Sequence, residues 1–180
     1  KYPLDVFFCE QCTHTQLLDV VNPIKLFENY VYVSGTSPTF VKHFEDYAKS
    51  VLKKYNFAQN SLVIDIGSND GNLLNNFKKK HRVLGITPEK IGKIAIKKGI
   101  NTLIKYFDKS TTNLILKKHG KAKIITATNV FAHIADVHSV MKNILKILDK
   151  NGVFISESHY LVSLLKTNQY DTIYHEHLRY

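Results

Sequence analysis

From Thr39 to Tyr55 the apolar residues Phe40, Val41, Phe44, Tyr47, Ala48, Val51, Leu52 and Tyr55 recur at steps of three and four, which predicts an amphipathic helix. A different pattern follows. Leu62, Val63, Ile64 and Ile66 form a short apolar run broken only by Asp65, as expected of a strand buried on both faces of a parallel sheet. Small and polar residues from Gly67 to Gly71 predict a turn, and Asn72-Leu73-Leu74 opens a helical pattern whose first N–H groups point back at it. Val83 to Ile86 predicts a second strand, with Pro88 at the first turn of the next helix. Asn101 to Ile104 and Ala122 to Ala127 predict further strands, separated by a helix around Thr111 to His119. Asp136 predicts the cap of a helix running to about Leu148, and Gly152 to Glu157 a fifth strand. This alternation predicts an α/β fold with a Rossmann-like, doubly wound parallel sheet, whose ligands lie at the carboxyl ends of the strands near the switch in strand order.

Composition bounds the rest. At 180 residues and 44% hydrophobic content, the chain has material for one main domain and a small appendage. A compositional break near Asn22-Pro23 divides it into a Cys-containing head at 1–22, a helical entry at 23–58 and a Rossmann-like core at 59–180. No apolar run approaches the roughly 20 residues that span a bilayer, and no signal-peptide pattern opens the chain, so a cytoplasmic location without a membrane partner is expected. Cys9 and Cys12 are too close to frame a disulfide scaffold; their C-x-x-C spacing fits metal or redox chemistry. The net charge of +10 admits nucleic acid, but the lysines pair up near predicted helix ends, as in Lys53-Lys54, Lys97-Lys98 and Lys117-Lys118. That placement suits helix dipoles and solvent. No element interleaves basic with aromatic residues, so no nucleic-acid partner is expected.

The stretch LVIDIGSNDGNLL carries the chemistry. Gly67-x-x-x-Gly71 lacks the third glycine of a dinucleotide fingerprint and the Lys-Ser/Thr of a phosphate-binding loop. What remains, Asp-x-Gly-x-x-x-Gly, suits a ligand with an amino acid end and a ribose. Glycine at position 67 lets that ligand approach the main chain.

With FFCEQCTHTQL, LFENYVYVSGTSPTFVKHF, LVIDIGSNDGNLL, ATNVFAHIADV, NGVFISE and YDTIYHEHLRY in this order, the chain resembles the class I S-adenosylmethionine-dependent methyltransferases. More closely, it resembles the nucleotide-sugar C-methyltransferases with an N-terminal zinc-binding domain. The resemblance implies S-adenosylmethionine as cofactor, held by Asp65, Gly67, Ser68, Asp70 and Gly71 at the methionine and ribose portions and by Asn129, Val130 and Phe131 at the adenosyl group. Where the family places an acidic residue for the ribose hydroxyls, the sequence has Thr87, with Glu89 two residues on. The implied reaction removes a proton beside the keto group of a nucleotide-linked sugar and methylates that carbon. His177 is the implied base, Glu176 an orienting group, Tyr174 and His133 hydrogen-bond donors to the enolate oxygen, and Tyr30 or Tyr32 the closure of the substrate side.

Members generally carry a second C-x-x-C upstream and a substrate domain downstream, so the chain reads as a fragment, with Cys9 and Cys12 supplying half of a structural zinc site and His14 a further candidate ligand. Val153 to Ser156 is then expected near an unpaired, aggregation-prone sheet edge. Other readings stand beside these. His175, Glu176 and His177 together suggest a metal site or a solvated helix end, and His159 a ligand contact. A small-molecule O- or N-methyltransferase, a zinc-headed nucleic-acid-binding module and a binding-only remnant are the alternative functions. The oligomeric state and the sugar are left open.

Overall fold

In a computed structural model, residues 1–27 and 32–180 are described. In chain order the elements are β1 (Val6–Phe8), β2 (Thr15–Leu17), α1 (Pro23–Phe27), α2 (Pro38–Lys54), β3 (Leu62–Ile66), α3 (Asn72–Asn75), β4 (Arg82–Thr87), α4 (Gly92–Lys97), β5 (Thr102–Ile104), α5 (Lys109–His119), β6 (Ala122–Thr128), α6 (Val137–Ile147), β7 (Leu148–Glu157) and α7 (Leu161–Lys166). The three long helices behind the first begin where local chemistry demands. Ser37 caps α2 by accepting the Phe40 N–H, with Pro38 at its first position. Asp108 accepts the Thr111 N–H at 2.8 Å to start α5, and Asp136 accepts the Ser139 N–H at 3.0 Å to start α6. Their last turns carry Lys53 and Lys54, Lys117 and Lys118, and Lys146, where a cation meets the negative end of the helix dipole.

The main sheet is parallel throughout, in the order β5-β4-β3-β6-β7. The chain leaves β3 through β4 and β5 to one edge, then returns to lay β6 on the other side of β3. The switch in strand order therefore falls between β3 and β6, where Asp65 stands opposite both Gly85 and Thr126. Alternation along β3 sends Leu62, Ile64 and Ile66 to the side covered by α5 and α6, where they meet Ile115, Ile144 and Ile147. Val63 goes to the other side, against Phe44, Ala48 and Val51 of α2 and Leu74 and Phe77 beyond it. Ile64, Ile115, Ile125 and Ile144 have no exposure at all, and each stabilises the fold by roughly 1.5–3 kcal/mol through burial.

Several boundaries differ from the sequence expectation. Pro88 sits in a bend and α4 begins only at Gly92, because the backbone turns at Glu89–Gly92 before it can coil. The helix at Asn72 lasts a single turn. The last strand starts at Leu148, which pairs with Ala122, and its extra residues bulge out before Val153 pairs with Ile124. It is also the outer strand of the sheet, as expected for Val153 to Ser156.

The Cys-containing head is a hairpin of β1 and β2 rather than a detached unit. β2 pairs with the end of the chain: Leu17 N–H donates to Leu178 O, Tyr180 N–H to Thr15 O, and Gln16 bridges Arg179. Among the described residues, no helix is long and apolar enough to cross a membrane.

Gly71 shows how tightly the loop after β3 is seated. Its φ is +77°, and a Cβ there would lie 3.0 Å from the Ala95 Cβ and 3.1 Å from Ile100. Gly71→Ala is therefore expected to lower unfolding free energy by about 1–3 kcal/mol in urea titrations, from backbone strain and overpacking against α4 and the residues after it.

Candidate functional site

A cavity of about 1060 Å³ opens over the carboxyl ends of β3, β4 and β6. Its floor on one side is the loop after β3. Gly67 has φ +75°, and a Cβ there would run into a methyl of Val130, so only glycine lets this loop and the turn after β6 close on each other. Ser68 lines the cavity, and its buried hydroxyl has no hydrogen-bond partner among the described residues. Gly85 makes room for that side chain, since a Cβ at Gly85 would press on the Ser68 hydroxyl. Asp65 closes the floor: Thr126 donates to its Oδ1 at 2.7 Å, yet burial pushes its carboxyl up to about 7.

At the end of β4, Thr87 is 1% exposed and its hydroxyl donates to the Glu89 carboxylate. Thr87 and Glu89 both line the cavity. A carboxylate thus stands two residues on from position 87, in the same wall. Across the cavity, Asn129, with φ +54°, and Val130 form the opposite lip. Phe131 does not reach it; its ring packs against Phe154, 5.5 Å between centroids, within the core layer of α5 and α6.

Asp70 and Gly71, both expected at the cofactor, are elsewhere. Asp70 is fully buried and accepts from the Ser34 hydroxyl at 2.7 Å and the Lys98 ammonium at 2.6 Å, while Gly71 packs against α4. The cradle that remains, Gly67, Ser68, Asp65 and Glu89, offers backbone approach, an unpaired hydroxyl and acceptors. It fits a ligand carrying an amino group and a ribose diol.

The opposite part of the cavity gathers histidines. His177, His133 and His159 all line it, with ring centroids 5.0 Å apart for His133 and His177 and 4.8 Å for His159 and His177. His177 is 4% exposed. Its Nδ1 lies 3.0 Å from the Thr172 carbonyl oxygen, which only accepts, so Nδ1 carries the proton and Nε2 presents its lone pair to the Tyr174 hydroxyl at 3.2 Å. Burial pushes the His177 imidazole down to about 4, with the Thr172 bond opposing and His133 and His159 adding. Near pH 7 it is a neutral ring with a lone pair ready to take a proton. His133 makes a similar hydrogen bond, its Nδ1 2.8 Å from the Glu176 carbonyl oxygen.

Glu176 therefore contributes its backbone, and its side chain does not line the cavity. His175 turns away altogether, its Nε2 2.8 Å from the Pro3 carbonyl. His175 and His177 point to different places because the backbone turns at 174–177, where the His177 N–H donates to the Tyr174 carbonyl. That separation removes the H-E-H metal reading. Tyr32 lines the cavity beside Phe40, while Tyr30 lies outside the described residues.

The zinc expected at Cys9 and Cys12 finds no complete site. Both thiols are exposed at the tip of the β1–β2 hairpin, and among the described residues no group of three or more His, Cys, Asp or Glu side chains is arranged to hold a metal ion. Two thiolates do not make the four-coordinate shell that structural zinc takes. The tip is nonetheless thiolate-favouring: hydrogen bonds from the backbone and side chain of Cys12 and the backbone of Gln11 lower the Cys9 thiol.

Three contributors carried no sequence signal. Thr126 supports Asp65 from a neighbouring strand, Thr172 fixes the His177 tautomer, and Arg179 donates to the carbonyls of Phe131, Ile134 and Ala135, bracing the turn that holds His133. Only their place beside the motif residues in space identifies them.

Comparison with known proteins identifies the family and the fold. A protein family described as "Methyltransferase domain" matches residues 41–180. C-methyltransferase NovU of Streptomyces niveus is 34% identical over 181 residues, covering 99% of this chain and 43% of that protein. The chain thus spans less than half the length of that relative. Among solved structures, an S-adenosylmethionine-dependent methyltransferase from Clostridium acetobutylicum superposes with a TM-score of 0.57 at 19% identity, over 71% of this chain and 54% of that one. The plantazolicin methyltransferase BpumL, solved with a desmethyl-plantazolicin analogue and SAH, superposes at 0.56 with 15% identity, over 76% and 53%. At these identities the structures establish the shared fold.

Asp65 and His177 give stability opposite dependences on pH. The folded Asp65 binds a proton that the unfolded chain has released between about 3.8 and 7, so its contribution falls as pH rises through that window, by up to about 1.4 kcal/mol per unit, and levels above it. The unfolded chain takes up a proton on His177 between about 6.5 and 4 that the folded one refuses, so stability falls as pH drops there. Asp65→Asn is expected to leave only the second slope: chemical denaturation from pH 4 to 8 should show the variant gaining stability relative to wild type as pH rises to about 7.

Proposed function

The chain belongs to the class I S-adenosylmethionine-dependent methyltransferases, and from that premise we propose that it methylates carbon, on a nucleotide-linked ketosugar, after base-assisted formation of an enolate. The observation that carries this reading is the neutral, buried His177, whose Nε2 lone pair faces Tyr174 in the same cavity as the cofactor cradle. Methylating oxygen or nitrogen calls on an existing lone pair of the acceptor. Methylating carbon needs a proton removed first, and a base held in its neutral form is the group that does it.

When bound, S-adenosylmethionine supplies an electrophilic methyl group on a sulfonium. Gly67 and Ser68 would hold its amino acid end, Glu89 its ribose hydroxyls, and Asn129 and Val130 the adenosyl side. His177 would take the proton from the sugar carbon at Nε2, displacing the Tyr174 hydroxyl. Tyr174 is then free to donate to the enolate oxygen, with His133 beside it, where stabilisation of developing charge is most effective. A base this weak relies on such donors, because they bring the acidity of the carbon towards that of the imidazolium. Nδ1–H to Thr172 strengthens as His177 gains charge, which favours the protonated ring in the transition state. The name of the Streptomyces niveus relative, a C-methyltransferase, supports the same choice.

The test uses a panel of nucleotide-linked ketosugars with the full-length protein in deuterated water. Mass spectrometry should find a methyl group on carbon and, without cofactor, deuterium at the same carbon. His177→Gln should slow both by about 100-fold or more. Methyl transfer to oxygen or nitrogen with no deuterium uptake would overturn the reading.

Glu89 generates a second prediction. Glu89→Gln should weaken S-adenosylhomocysteine binding about 10-fold by calorimetry, the loss of one charge-assisted hydrogen bond, and Thr87→Val should weaken it less.

A further inference from the structure

Asn69 and Asp70 follow the cofactor loop and point their side chains backward, at a segment about 35 residues earlier in the chain. Asn69 Oδ1 accepts the Ser34 N–H at 3.1 Å, and its Nδ2 donates to the Tyr32 carbonyl at 2.9 Å. One side-chain amide thus reads both the acceptor and the donor of the 32–34 backbone, as a neighbouring strand would. The same Oδ1 also accepts the Asp70 N–H at 2.9 Å, which fixes the amide's orientation within its own turn. Asn69 has φ +49°, a conformation in which asparagine is among the few comfortable residues other than glycine.

Asp70 completes the hold. Its Oδ1 accepts the Ser34 hydroxyl at 2.7 Å and its Oδ2 the Lys98 ammonium at 2.6 Å, with the carboxylate wholly buried. Gly35 passes directly over it, where any Cβ would collide with Oδ2. The segment so held faces the cavity: Tyr32 and Ser34 both line it, as do Gly67, Ser68 and Asn69. Burial, then the charge of Asp70, raises the Tyr32 phenol, keeping it a hydrogen-bond donor.

We propose that Asn69 and Asp70 are positioning residues, a latch through which the cofactor loop sets the place of Tyr32 and Ser34 in the acceptor half of the cavity. This rests on the reading of Gly67 and Ser68 as part of the cofactor's cradle. The consequence is a coupling: a ligand that steadies Gly67 to Asn69 steadies the acceptor of the Ser34 N–H and the donor to the Tyr32 carbonyl, and by reciprocity an ordered 32–34 segment favours the ligand. Motion on one side of the cavity is transmitted by two side chains, with no shift of the sheet needed.

Amide hydrogen exchange of residues 32–36, with and without S-adenosylhomocysteine, tests it alongside calorimetry of the same ligand. In the wild type the ligand should slow exchange of this segment about 10-fold, within the usual range of coupling between sites. Asn69→Gly keeps the backbone conformation and removes the amide; it should speed exchange there, abolish the ligand's effect, and change the ligand's Kd by no more than about 3-fold. Ser34→Ala, which leaves the Asp70–Lys98 pair intact, should lose part of the effect, guarding against a variant that simply unfolds. An unchanged ligand response in Asn69→Gly would overturn the latch. So would a loss of ligand affinity with exchange unaltered, which would make Asn69 a direct contact. Absence of ligand binding by the wild type would instead overturn the cofactor cradle itself, and the coupling with it.

Discussion

A carboxylate with no exposure must find its partners inside the protein, and at Asp70 that requirement organises the molecule. The Ser34 hydroxyl and the Lys98 ammonium are those partners, and they come from opposite directions along the chain. Satisfying them draws the segment before α2 and the end of α4 onto the loop after β3. The positive φ angles at Gly67, Asn69 and Gly71 are what allow the backbone to turn three times in five residues and leave that carboxylate pointing inward. Removing one partner from such a group is far more costly than the pair is worth in isolation, so the arrangement is held by the penalty of breaking it.

With the loop fixed, the cavity acquires two halves of unlike chemistry. On the side of β3 and β4 are acceptors: the Asp65 carboxyl, the Glu89 carboxylate held by Thr87, and an unpartnered serine hydroxyl. On the side of the turn after β6 are the imidazoles of His133, His159 and His177, of which His177 is held neutral by burial. Burial works in opposite senses on the two, raising the acid and depressing the base, because in each case it penalises the charged form. Arg179 and the pairing of β2 with residues 178–180 join the second half to the N-terminal hairpin.

Much of this was legible one residue at a time. The period of α2, the apolar run of β3, the Asp108 and Asp136 caps, and the glycine at 67 all follow from local preferences that the surrounding fold reinforces. The site was legible as a set of motifs, and His133, Tyr174 and His177 do meet. Position 87 was also visible as a departure with Glu89 two residues on, though the hydrogen bond that joins the two was not. The misplacements have a common cause. Asp70, Gly71, Phe131, Glu176 and His175 stand within motifs whose other members line the cavity, and proximity in sequence does not say which way a side chain turns when the backbone is irregular.

The sequence by itself determined the elements, the class of sheet and the residue types available for the chemistry, because periodicity, capping and turn preference are decided within a few neighbouring residues. Only the tertiary structure decided which of those residues work together. Ser34 with Asp70, Thr126 with Asp65, Thr172 with His177 and Thr87 with Glu89 are pairings in which a buried polar group takes whatever partner the packed chain brings within hydrogen-bond reach. For three of the four, that choice depends on the winding of strands and turns, and on no pattern along the chain.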